Sequence, residues 1–211
     1  MSAPTTRLDL SPVPVRVRPL ARLLQLLAGL VLFGTSMALM VRADLGLAPW
    51  DVLHDGLSSR LGWSFGSVTA LTSAVVLLIW VPLRQRPGIG TVANVVVVAL
   101  SVDLALALLP APHALAWRCA LLGGGILLNG LATAIYVGAR LGPGPRDGLM
   151  TGLHARTGLS VRVARTGVEL IVLAAGWMLG GSVGWGTVLY AGLIGVVTQL
   201  LLPPMTVRGD G

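Results

Sequence analysis

The sequence predicts an all-α membrane protein: six transmembrane helices forming two inverted three-helix repeats, each with a short re-entrant or interfacial helix after its first span. Three observations predict it. The chain is 55% apolar and only 11% charged, with a mean hydropathy of +0.84, whereas a water-soluble domain carries about 25% charged residues. Residues 45–64, LGLAPWDVLHDGLSSRLGWS, return 96 residues later at 141–160 as LGPGPRDGLMTGLHARTGLS, identical at ten of twenty positions without a gap. The register extends outward: Gly34 and Ala38 match Gly130 and Ala134, and Gly88, Gly90 and Thr91 match Gly184, Gly186 and Thr187. Finally, all fifteen basic residues are arginine, and they fall unevenly between the predicted spans.

Residues 1–19 hold Pro4, Pro12, Pro14, Pro19 and three arginines and read as a disordered, basic cytoplasmic tail. Six apolar runs follow, at about 21–41, 67–83, 91–110, 117–138, 164–180 and 187–203, against the roughly 20 residues a spanning helix needs. The first is too long for the roughly 7–15-residue apolar core of a signal peptide, so it is read as a retained helix. Residues 20–110 form repeat 1, with a short helix at 49–61. Residues 111–203 form repeat 2, with a short helix at 145–157, and 204–211 is a second cytoplasmic tail.

With the amino terminus inside, twelve arginines (7, 16, 18, 22, 84, 86, 140, 146, 156, 162, 165 and 208) face the cytoplasm and Arg42, Arg60 and Arg118 face outward. That bias obeys the positive-inside rule and places both termini in the cytoplasm of a bacterial inner membrane. It also accounts for the net charge of +7 without a nucleic-acid partner. Three spans per repeat reverse the second copy, as in transporters built on a pseudo-two-fold axis in the membrane plane.

Within each duplicated segment Leu-Gly-x-x-Pro is a break. Pro49 suits the first helical turn, and Asp51 there meets the positive end of the helix dipole. Trp50, Leu53, Leu57 and Leu61 recur at helical spacing as one apolar face, with Asp51, His54, Asp55 and Ser58 elsewhere, and Gly62 ends the helix. About 13 residues at 1.5 Å each are too few to cross. The element either lies flat in the interface or dips into the bundle. Two inverted copies dipping in bring helix amino termini together near the midplane, as at transporter solute sites. Gly-x-Gly-Thr, at 88–91 and 184–187, reads as a tight turn with capping by Thr91 and Thr187.

Asp103 lies in the third span, where a charge costs about 2.5–3.5 kcal/mol and must be protonated or paired; its repeat mate is Gln199. Arg165 and Glu169 stand at i,i+4 and form a local ion pair, or Glu169 or Asp103 carries a coupling proton or contacts a solute. Asn94 and Asn129 read as glue between helices. The lone Cys119 allows no disulfide within the chain, the three histidines have no metal-ligand spacing, and no phosphate-binding glycine loop appears. No metal or cofactor is expected.

Ala-x-Leu-Gly-x-x-Pro-Trp-Asp-Val-Leu-His-x-Gly-Leu at 43–57, Gly-Ile-Gly-Thr at 88–91, Leu-Gly-x-Gly-Pro-Arg-Asp-Gly-Leu-Met at 141–150, Arg-x-x-x-Glu at 165–169 and Gly-x-Gly-Thr at 184–187 resemble the YczE-type integral membrane proteins, grouped with YyaS and YitT. The resemblance covers about residues 20–203. It implies a multi-pass bacterial membrane protein and brings no substrate or catalytic residues with it.

Three functions remain open. A small-solute secondary transporter or channel fits best, with Asp51, Asp147, Trp50 and His54 near the solute or gates, Arg146 as an anion contact, and Asp103 or the Arg165–Glu169 pair in protonation. A scaffold, assembly factor or membrane subunit of a larger complex comes second. An enzyme is weakest, because no nucleophile–base set is present. The bilayer is one partner. A solute, a second copy or a membrane partner protein is left open by the sequence.

Overall fold

Gly, Pro and Ser punctuate the chain at matching places, and the helices begin and end there. The computed structural model describes residues 13–14 and 16–207. Most of the predicted amino-terminal tail, with Arg7, and Arg208 in the second tail lie outside the described residues. Eight helices form and no strand is present among the described residues: α1 (Pro19–Ala43), α2 (Pro49–Leu61), α3 (Phe65–Leu83), α4 (Ile89–Leu108), α5 (Leu115–Gly138), α6 (Pro145–Thr157), α7 (Val161–Met178) and α8 (Trp185–Met205). Five of them, α1, α3, α4, α5 and α8, are long and apolar enough to cross a membrane. The predicted span at 164–180 corresponds to α7, whose 18 residues include Arg162, Arg165 and Glu169 in the first half.

The 96-residue offset relates α1–α4 to α5–α8 down to the backbone angles. Asp44 and Arg140 are both left-handed (φ +49° and +54°), and Gly46 and Gly142 sit at +108° and +125°. Gly62 and Gly158 end α2 and α6 at +68° and +73°. The two short helices match their predicted bounds at both ends. The Gly-x-Gly-Thr motif caps as expected, from inside the helix: Thr91 and Thr187 accept from the Gly88 and Gly184 N–H at 3.1 and 3.3 Å.

Helices α1 and α5 pack antiparallel at the centre. Gly29 receives Tyr136, and its mate Gly125 receives Met40, the mate of Tyr136. Both helix ends are closed by an arginine from the other. Arg22 donates Nε–H to Ala139 O at 2.9 Å and Nη2–H to Arg140 O at 3.0 Å; Arg118 donates Nε–H to Ala43 O at 2.8 Å and Nη2–H to Asp44 O. These bonds satisfy carbonyls that a helix end leaves unpaired and put positive charge on its negative pole.

The two halves also join through their motifs. Gly90 N–H donates to Leu141 O at 3.0 Å, and Gly186 N–H donates to Leu45 O at 2.8 Å. These are one bond made twice, each Gly-x-Gly-Thr docking on the Leu-Gly break of the other half. Elsewhere the copies exchange bulk at one contact. Trp80 fills the space over Gly148, and its mate Gly176 admits the α2 backbone at Val52 and Leu53.

The short helix α2 departs from its predicted amphipathic pattern. Its most buried side chains include Asp51 (2% exposed) and His54 (1%), while Leu61 is 46% exposed. Both faces of α2 are used because α3 and α7 pack against it. Its polar face meets other helices' polar groups, and Leu53 and Leu57 line an apolar groove with α3 and α7.

Candidate functional site

Pro49 and Pro145 start α2 and α6, and both first turns line one cavity of about 200 Å³. Ala48, Pro49 and Trp50 come from one break; Gly144, Pro145, Arg146 and Asp147 come from the other. Trp50 and Arg146 occupy equivalent positions, and they touch: the Arg146 guanidinium carbon stands 5.1 Å from the Trp50 ring centre, a cation–π arrangement. Equivalent positions of the two duplicated segments therefore meet at the cavity.

The first turns carry the charges. Asp51 Oδ1 lies 3.4 Å from His54 Nδ1 and 3.5 Å from Arg146 Nη2, both beyond good hydrogen-bond length, and neither this oxygen nor the buried Trp50 Nε1 has a hydrogen-bond partner among the described residues. His54 meets the Thr72 hydroxyl at 2.8 Å and that of Thr69 at 3.3 Å. Burial lowers the imidazole's pKa, with the Asp51 contact working against it. Asp147 accepts from the Tyr136 hydroxyl at 3.0 Å. Burial raises its carboxyl above the usual range, opposed by that bond and by the charges of Arg165 and Arg146. Burial thus inclines Asp147 to keep a proton.

Arg165 and Glu169 form the i,i+4 pair the spacing suggests, at 2.9 Å, and both line the cavity. Asn129 acts as glue, donating to Ser36 Oγ at 2.8 Å and accepting from Tyr190 at 3.0 Å. Asn94 instead lines the cavity. Asp103 is not among the cavity-lining residues. It sits near the end of α4 and accepts from Ser64 Oγ at 2.6 Å and Gly66 N–H at 2.7 Å, closing the start of α3 onto α4. Sequence reasoning missed Tyr136 and Tyr190, which carry no motif. It also missed the arginine clamp, although Arg22 and Arg118 obey the 96-residue offset.

The cavity is lopsided. α3 and α4 are tightly joined beside it; a Cβ on Gly66 would stand 2.1 Å from Ala99 O. The equivalent pair, α7 and α8, hardly touch. At the position equivalent to Ala99, Gly195 has nothing within 4 Å of a Cβ, and Gly195, Thr198 and Gln199 line the cavity opposite Arg165 and Glu169. The opening therefore runs between α7 and α8.

Residues 20–203 match DUF6198, a family of unknown function. The chain is 42% identical over 177 residues to an "Uncharacterized protein" of Haemophilus influenzae, covering 84% of this chain and 81% of that one. It is 35% identical to the "Uncharacterized membrane protein YczE" of Bacillus subtilis, covering 83% of each. It is 26% identical to the "Uncharacterized protein YyaS" of the same organism, covering 83% and 89%. No solved structure matches. With its apolar helices and these relatives, the chain belongs to DUF6198 and is a YczE-like membrane protein.

Proposed function

We propose that the protein is a small-solute secondary transporter of a bacterial cytoplasmic membrane, working by alternating access around the cavity between α2 and α6. Its two halves insert upside down relative to one another, with both termini inside. The antiparallel α1–α5 pairing and the arginine bias support that arrangement. On this reading α2 and α6 are re-entrant, tolerated at depth because protein surrounds them.

One observation carries the reading: equivalent seams beside the cavity are in opposite states, α3–α4 shut and α7–α8 parted. A chain that uses each half in turn as the gate would look like this when caught open to one side. With the amino terminus inside, that side is the cytoplasm. Asp103 latches the outer seam. The mates of Ser64 and Asp103, which are Ser160 and Gln199, approach each other when the inner seam shuts.

The test needs no knowledge of the solute. In a Cys119→Ser background, the pairs Ser64→Cys/Asp103→Cys and Ser160→Cys/Gln199→Cys are oxidised separately in native membranes. Alternating access predicts that both pairs cross-link, because both seams close in turn. A static scaffold or complex subunit cross-links only the first pair, and that outcome overturns the transporter reading. Replacing Asp103 with Ala removes two hydrogen bonds to a carboxylate, of which part is exposed to solvent. It is expected to favour the outward-open state about tenfold, or about 1.4 kcal/mol, seen as faster Ser160–Gln199 cross-linking. Unchanged rates would remove Asp103 from the gate.

A further inference from the structure

His54 is 1% exposed and stands behind the cavity wall rather than in it. The two hydroxyls beside it have acceptors for their protons elsewhere. Thr69 Oγ1 donates to Phe65 O at 2.9 Å, and Thr72 Oγ1 donates to Val68 O at 3.0 Å. Each hydroxyl oxygen then offers the ring its lone pairs. Thr72 Oγ1 meets Nε2 at 2.8 Å, while Thr69 Oγ1 and Asp51 Oδ1 meet Nδ1 at 3.3 and 3.4 Å. Both ring nitrogens therefore face acceptors. A neutral imidazole has one N–H to give and an imidazolium has two, so these surroundings have a place for a second proton.

Asp51 is shared. Its Oδ1 lies 3.4 Å from His54 Nδ1 and 3.5 Å from Arg146 Nη2, so an imidazole of its own helix and a guanidinium of α6 compete for one oxygen. The other packed helices bring weaker influences. Phe65 of α3 sets its ring edge-on to the imidazole, with centroids 5.7 Å apart. Arg165 and Glu169 of α7 pair with each other at 2.9 Å and act on Asp147 and Tyr190. Tyr190 of α8 feels the Asp51 charge and donates its hydroxyl to Asn129. Burial and the Arg146 charge work against a charged imidazole, while Asp51 supports it, a balance that suits a proton taken up and released. Thr69 lines the cavity and gives that proton a way in. Its Oγ1 takes a proton from cavity water as its own passes to Nδ1, so one N–H bond forms and the threonine is left as it was. The second copy has Met150 at the equivalent position, so the chain holds one such site.

We propose that His54 is the binding site of a coupling proton, an inference that rests on the transporter reading. With one proton the ring donates to Thr72, and Arg146 holds Asp51. With a second, Nδ1–H takes Asp51, and Arg146, which lines the cavity, is released toward it. Proton uptake thus changes the charge on the cavity wall although His54 never reaches it.

The experiment uses the full chain in lipid nanodiscs. His113→Gln and His154→Gln, both at exposed positions, leave His54 as the one imidazole, and ¹⁵N-histidine magnetic resonance reads the protonation of each ring nitrogen against pH. Both nitrogens are expected to become protonated in one step, at a midpoint between about pH 4 and 8. Arg146→Gln removes the competitor for Asp51 and raises that midpoint by at least about one unit, a tenfold gain in proton affinity. Asp51→Asn removes the carboxylate and lowers it by at least as much, while the helical circular dichroism of both variants stays unchanged. A ring that stays neutral down to pH 4 or charged up to pH 8, or a midpoint that ignores Arg146→Gln, would overturn the proposal. A proton biases the two seams only by binding the two states unequally, so the midpoint is expected to differ by at least about one unit between protein locked by the Ser64→Cys/Asp103→Cys disulfide and by the Ser160→Cys/Gln199→Cys disulfide. If both disulfides form and the midpoints agree, the transporter stands and proton coupling falls. If the second does not form while His54 titrates and responds to Arg146→Gln, the proton site stands and alternating access falls.

Discussion

Replacing Arg22 with Met is expected to cost about 3–5 kcal/mol of stability, while Arg118→Met at the equivalent position costs about 1 kcal/mol. Arg22 is 0% exposed and uses all five of its donors. Nε–H goes to Ala139 O, the Nη1 pair to Pro14 O (2.7 Å) and Val17 O (3.1 Å), and the Nη2 pair to Val13 O (3.0 Å) and Arg140 O. Truncation leaves buried carbonyls without donors, at about 1–3 kcal/mol for each one water cannot reach. Arg118 makes the same two backbone contacts, but its side chain is 27% exposed, and its bond to Asp44 Oδ2 at 2.8 Å is a surface ion pair with a 73% exposed partner. Water replaces what is lost there. Unfolding of the purified variants in mixed detergent micelles measures both. Equal losses would refute the claim that burial, rather than the shared bonding pattern, sets the cost.

Gly46→Ala is expected to destabilise by about 3 kcal/mol or more, and Gly142→Ala by about 1–2 kcal/mol. Both positions have φ in the region an L side chain resists, at +108° and +125°, so each substitution carries backbone strain. The difference lies in what the new Cβ meets. At position 46 it would stand 2.5 Å from Gly184 N and 2.8 Å from its Cα; at position 142 the nearest atom is Gly88 Cα at 3.1 Å. The first collision is with backbone that is fixed by the Gly186–Leu45 hydrogen bond, so the two halves must separate there. The same micelle titration reads the pair. A milder effect at 46 than at 142 would mean this junction is looser than its contacts indicate.

Local chemistry explains why so much of the fold could be read in advance. A run of apolar residues becomes a lipid-facing helix wherever it stands. Proline opens and glycine closes α2 and α6 through their own backbone preferences, so those ends were placed to the residue. Two copies in one chain announce their equivalence by identity alone. The cavity was legible only in part. Trp50, Arg146, Asp147, Arg165 and Glu169 were named from their types and positions, whereas Asp51 and His54 are buried outside the lining, and no sequence pattern shows that Trp50 and Arg146 face each other. Asp103 was placed as a deep intramembrane charge, because hydropathy reports a residue's neighbours along the chain and not the helix start packed beside it.

The sequence by itself determined the helices, their breaks, the duplication and the charged residues at the breaks, since each depends on residues adjacent in the chain or on direct comparison of two segments. Only the tertiary structure decided that the polar face of α2 turns inward, that the two breaks share one cavity, and that one seam is shut while its equivalent stands open. Those outcomes depend on contacts between residues far apart in the chain. Nearly identical local sequences can occupy both sides of such an asymmetry, because the energy that separates open from shut lies in the packing between helices.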